Sequence, residues 1–166
     1  VSQIVSEINM SRGIFYKYFD DIEDAYTYIV QQATHQIHYD IIQYVQHTQY
    51  DLFEGLEQYL LFCTRLTPAQ DYWKKLSIVT YADRTKNDLK IPKQQHQKLW
   101  KIWDYLLQKN QFCLNDPEEQ RSFLYFLMDN MLRLLSYLII YNRTQEEIQQ
   151  EFYYFKKWVQ LGISNC

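Results

Sequence analysis

Apolar residues return every three or four positions along almost the whole chain, and no segment alternates with the two-residue rhythm of a strand. The pattern predicts helices throughout. Near the start, Ile4, Val5 and Ile8 make a short apolar stripe, and Phe15 and Phe19, four apart, mark one face of a second short helix. From Tyr26 onward, Ile29, Val30, Ala33, Ile37, Ile41, Tyr44 and Val45 keep the helical period and predict one long helix to about residue 48. Further helices are expected over about 51–64 on Leu52, Leu56, Leu60 and Cys63, and over about 68–84 on Tyr72, Trp73, Leu76, Val79 and Thr80. Residues 85–92, polar and ending in Pro92, read as a loop. Leu99, Trp103, Leu106 and Leu107 then predict a helix over about 93–110, and two more are expected over 117–141 and 145–161.

The helix starts have their own signals. Thr67-Pro68-Ala69-Gln70, Asp116-Pro117-Glu118-Glu119 and Thr144-Gln145-Glu146-Glu147 each set an N-cap oxygen three residues before a Gln or Glu, two of them with proline at the first helical position. Asp20-Asp21-Ile22-Glu23 is a fourth opening of this kind, with either aspartate as the cap.

Composition narrows the fold class. With 47% apolar residues in 166 the chain can close a core, and only 3 Gly and 3 Pro disfavour a β-rich or loop-rich architecture, which leaves an all-α fold. The same scarcity of glycine excludes a phosphate-cradling loop or a dinucleotide fingerprint. Cys63, Cys113 and Cys166 are odd in number and far apart, so no disulfide framework is expected and a cytoplasmic location is. The run from Phe123 to Tyr141 is long and apolar enough to resemble a membrane span, but Asp129 and Arg133 interrupt it four residues apart, where they can pair. A helix buried on most sides, without a membrane partner, is the expectation.

One stretch has a residue order that points to a specific partner. Residues 1–26 read as a helix, a tight turn at Asn9, a second short helix capped by Ser11, and the opening of a third, which is the layout of a helix-turn-helix. The run Asn9-Met10-Ser11-Arg12-Gly13-Ile14-Phe15-Tyr16-Lys17-Tyr18-Phe19 resembles the signature of the tetracycline-repressor (TetR) family of transcriptional regulators, Gly-Val-Ser-(Lys/Arg)-Gly-x-(Leu/Phe)-Tyr-x-(His/Tyr)-Phe. The resemblance implies a DNA-binding regulator, a repressor released from its operator by a small organic effector. It implies that residues 1–26 are part of a DNA-binding domain whose first helix falls before Val1, and that 27–166 form a helical effector-binding and dimerisation domain. Arg12, Gly13, Ile14 and Lys17 would then meet base edges of a palindromic double-stranded operator, while Ser11, Tyr16 and Tyr18 hold phosphates. The place where the family usually carries a phosphate-binding lysine holds Ile22. Residues 1–30 set Arg12 and Lys17 against Glu7, Asp20, Asp21, Glu23 and Asp24, a balance opposite to the one phosphate attracts. A helical interaction module that keeps the motif without binding DNA stands as the alternative.

The family resemblance also implies a homodimer through the last two helices, with Leu127, Leu134, Phe152, Phe155, Trp158 and Val159 as the interface candidates. The 16 Tyr, 9 Phe and 4 Trp suit a pocket for a flat or cationic organic effector, and Tyr72, Trp73, Tyr81, Trp100, Trp103 and Phe126 are its candidate lining. Other chemistry is sparse. His35 and His38 lie three apart on the long helix without a third and fourth ligand at metal-site spacing, and no nucleophile and base are paired. No metal, cofactor or enzymatic activity is expected.

Overall fold

A computed structural model describes residues 1–65, 93–114 and 116–163. Among them the regular structure is helical only: α1 (Ser2–Glu7), α2 (Arg12–Tyr18), α3 (Ile22–His47), α4 (Leu52–Thr64), α5 (Lys93–Lys109), α6 (Pro117–Ile140) and α7 (Gln145–Ile163). The helix expected over 68–84 and the loop after it lie outside the described residues.

Local chemistry explains the starts. Ser11 Oγ accepts the Ile14 amide, Asp51 Oδ1 the Glu54 amide at 2.9 Å, and Asp116 Oδ1 the Glu118 amide with Pro117 opening α6. Thr144 and Glu147 form a reciprocal capping box: Thr144 Oγ1 accepts the Glu147 amide and Glu147 Oε2 accepts the Thr144 amide. At the start of α3 the cap is Asp21, which takes the Asp24 amide, while Asp24 Oδ2 accepts the Asp20 amide. Helix ends in this glycine-poor chain turn through left-handed residues other than glycine: Asn9, Gln49, Tyr50, Gln111 and Asn142.

Two apolar clusters form. The smaller joins Val5, Phe15 and Ala25, with Val1 and Phe19 packed against it. The larger takes Ile37, Ile41, Ile42 and Val45 from α3 and combines them with buried faces of α4, α5, α6 and α7. Helix α3 contributes to both and runs without a break past residues 26 and 27, where the sequence placed a domain boundary. The predicted stripe on α3 is buried at Val30, Ala33, Ile37, Ile41 and Val45, but Tyr26 and Ile29 are exposed. Ala25 takes the inward position instead, and its small side chain lets Val5 and Phe15 close onto the helix. On α1 only Val5 is buried, whereas Ile4 and Ile8 face outward.

Helix α4 packs on α3, α6 and α7. Gly55 lets α4 approach α3 closely, since a Cβ there would sit 2.5 Å from the Val45 Cα. Asn110 fastens the end of α5 to the α3–α4 turn: its Oδ1 accepts the Leu52 amide at 2.9 Å, and its Nδ2 donates to the carbonyls of Tyr50 and Leu106. Helix α6 buries Leu124, Leu127, Met131 and Leu134 almost completely. Its Arg133 turns to Glu151 of α7 at 3.9 Å. Among the described residues no helix is long and apolar enough to cross a membrane. Cys113 is disulfide-bonded, although the spacing of the cysteines led to no expected disulfide framework, and Cys63 is a buried thiol.

Candidate functional site

The first two helices and their turn build one short head. After α1, Asn9 adopts φ 52°, a left-handed conformation that its side chain tolerates, and the chain reverses into the Ser11 cap. Phe15 is the buried anchor of α2, with the rings of Tyr16 and Phe19 each 5.4 Å from its own. Everything else on α2 looks outward. Arg12, Gly13, Ile14, Tyr16, Lys17 and Tyr18 are exposed, and Ser11, also exposed, is spent on its cap. The Arg12 guanidinium donates to Ser2 Oγ of α1, and the Lys17 ammonium lies 6.0 Å from the Tyr18 ring centre. The structure therefore brings together as one exposed row the residues singled out on this helix. The nearby acidic groups are partly occupied in capping, Asp21 and Asp24 above all.

Of the expected pocket residues, the three that are described do not gather. Tyr72, Trp73 and Tyr81 lie outside the described residues. Trp103 is fully buried and donates its indole N–H to His38 Nδ1 of α3 at 3.2 Å, so it is core. Trp100 points to α6, edge-on to Tyr125 at 5.6 Å and under the Arg121 guanidinium. Phe126 faces α7, against Phe155 at 5.8 Å. Three neighbouring helices claim the three rings, because positions 100, 103 and 126 project toward different seams.

The interface candidates divide in the same way. Leu127, Leu134 and Phe152 are sealed in the chain's own core, and Phe155 and Val159 are nearly so, which leaves Trp158 as the one member facing out. The surface open to a partner is carried by neighbours that the sequence pattern did not single out. Phe126, Tyr154 and Trp158 border a groove between α6 and α7 of about 600 Å³. Tyr154 and Trp158 stack 5.9 Å apart at an interplanar angle of 14°. Across the same groove Arg143 meets Glu147 at 3.4 Å and Glu151 at 3.6 Å.

The two histidines differ. His38 accepts from Trp103, and because an indole N–H can only donate, Nδ1 of that imidazole is held unprotonated. His35 Nε2 is buried with no hydrogen-bond partner among the described residues, and burial pushes its pKa down. Among the described residues no group of three or more His, Cys, Asp or Glu is placed to hold a metal ion. On the α3–α4 seam, Asp40 is half-buried near Tyr44 and Tyr59, and burial raises the pKa of its carboxyl. No family model, curated protein or solved structure matches the chain.

Proposed function

We propose that this chain is a DNA-binding transcriptional regulator similar to the TetR repressors, acting as a homodimer and released from a palindromic operator by a small-molecule effector. The observation that carries the reading is helix α2: one buried aromatic, Phe15, anchors it, and Arg12, Gly13, Ile14, Tyr16, Lys17 and Tyr18 all face solvent. A seven-residue helix is about 10 Å long and fits a major groove about 12 Å wide. Its exposed tyrosines and cations are the groups that hydrogen-bond phosphates and base edges. Support for a second copy comes from the aromatic surface of Phe126, Tyr154 and Trp158, since contiguous apolar patches on a soluble face mark interaction sites. A two-fold dimer presents two copies of α2 to half-sites about one DNA turn, roughly 34 Å, apart. An effector that binds one separation better than the other shifts the population toward release.

A second reading is favoured by the acidic balance of residues 1–30 and by the engagement of Arg12 with Ser2: a helical interaction module whose head meets a protein. One experiment separates the two. The complete protein is used to select from a random duplex library, and the enriched duplex is titrated at several salt concentrations. The regulator predicts a palindrome, affinity that drops steeply with salt, and loss of binding in Tyr16→Ala and Lys17→Ala. Weak binding that ignores both substitutions and salt would leave the interaction module.

A further inference from the structure

The groove between α6 and α7 holds more hydrogen-bond donors than acceptors to receive them. Arg133 and Arg143 both line it and share one carboxylate: Arg133 Nη1 lies 3.9 Å from Glu151 Oε2, and Arg143 Nη1 lies 3.6 Å from Glu151 Oε1. The second carboxylate at Arg143, Glu147 at 3.4 Å, stands outside the lining, and its other oxygen accepts the Thr144 amide of the capping box. All four carboxylate oxygens of Glu147 and Glu151 are thus engaged. The guanidiniums are not, since each carries five N–H donors in a fixed fork. Among the described residues Arg133 gives one hydrogen bond, to Asn130 Oδ1 at 3.4 Å, beside the longer contact with Glu151. Both pairs of Arg143 run through Nη1 alone.

Arg133 is also oriented in advance. Its guanidinium lies 5.3 Å from the Tyr137 ring centre, a contact that holds the planar fork against the ring. The rest of the groove is aromatic. Tyr154 and Trp158, four apart on α7, are stacked rings that are 44% and 68% exposed, and Phe126 of α6 lines the same space. A volume of about 600 Å³ falls inside the range of small-molecule sites, roughly 300–1,000 Å³, which pair apolar walls with a few convergent polar groups. A cation is the wrong occupant here, because both acidic side chains already have arginine partners. The polar end asks for a group that only accepts, and a carboxylate matches a guanidinium fork in shape as well as charge.

We propose that the α6–α7 groove binds a planar aromatic carboxylate, its charged group on Arg133 and Arg143 and its ring on Tyr154 and Trp158. This binding does not rest on the regulator reading. In the proposed homodimer the second copy covers the same rings, so ligand and second copy compete for one surface.

The test titrates 2-naphthoate and 2-naphthamide calorimetrically into the complete protein, two flat probes of nearly the same shape of which only the first is charged. The wild type should bind the naphthoate roughly tenfold or more tightly than the amide. The double variant Arg133→Gln, Arg143→Gln should bring the two probes to equal affinity, and Trp158→Leu should weaken both by about threefold. Arg121→Gln, at a guanidinium that lies over Trp100 outside the groove, should change neither. Circular dichroism confirms that each variant is folded, and Trp158→Leu, at an exposed ring, locates the site even where the double variant does not fold. Equal wild-type affinity for acid and amide, no binding of either, or naphthoate binding unchanged by the groove substitutions would each overturn the site. Light scattering along the same titration reads the competition. Naphthoate that converts dimer to monomer supports it, whereas binding at constant dimer mass keeps the site and removes the second copy from this surface. A chain that is monomeric throughout bears on the homodimer alone.

Discussion

At the scale of single residues, the strongest constraints come from atoms with no room to move or no partner to meet. Gly55 is required by close approach, since any Cβ would meet the backbone of Val45 as well as its side chain. Gly55→Ala should therefore lower stability by about 2 kcal/mol or more, read from chemical denaturation, because a backbone contact cannot be relieved by a rotamer change. An unchanged midpoint would show that α4 can slide away from α3 at little cost. His35 gives a pH-dependent counterpart. Burial depresses its folded-state pKa below the unfolded value of about 6.5, so between those values the folded protein holds fewer protons than the unfolded chain. The stability tied to its neutral imidazole is thus present above about pH 6.5 and is lost as pH falls through that window. His35→Leu should flatten the fall in melting temperature between pH 7 and pH 5, whereas a curve parallel to the wild type would assign the acid sensitivity to other groups.

At the scale of elements, boundaries were legible in the sequence where local chemistry decides them. The caps at Ser11, Asp21, Asp116 and Thr144 need only a side-chain oxygen and an amide two or three residues later, and all four helices begin as that chemistry dictates. Thr144→Ala removes one half of the box with Glu147 and should cost about 1 kcal/mol, seen as a shifted denaturation midpoint; no shift would mean that the packing of Phe152 and Phe155 alone positions the start of α7. Facing was less legible, because it depends on what a helix meets. Periodicity gave the stripe on α3 but chose Tyr26 where Ala25 is buried, and the family resemblance offered Leu127 and Leu134 to a partner although the chain's own core buries them. Asn110 was invisible for a related reason: it looks like an ordinary surface polar residue until a distant segment arrives beside it. Of the candidate site, the exposed row on α2 was readable from order alone, since Phe15 fixes the inward direction and the rest follows from the helical repeat.

At the scale of the whole molecule, exposed aromatic rings cluster on the outward surface of α6 and α7. Phe126, Tyr141, Tyr154 and Trp158 face solvent there, around paired Arg143 and Glu151 that can fix the register of a two-fold contact. In the proposed homodimer, Trp158→Asp should convert the dimer to a monomer in multi-angle light scattering while circular dichroism stays unchanged, because Trp158 is 68% exposed and contributes little to the chain's own core. A wild type that is already monomeric at micromolar concentration would sink the dimer.

The continuity of α3 has a mechanical consequence. Because the helix is not interrupted between its two apolar clusters, the span from Asp40 to Ile22 acts as a stiff arm about 27 Å long. A tilt of roughly 5° at the body end moves the far end by about 2 Å, more than half the 3.4 Å rise of one base-pair step. In the proposed regulator no hinge is needed to turn a small adjustment at the body end into a misfit on DNA: the lever ratio of one unbroken helix is enough.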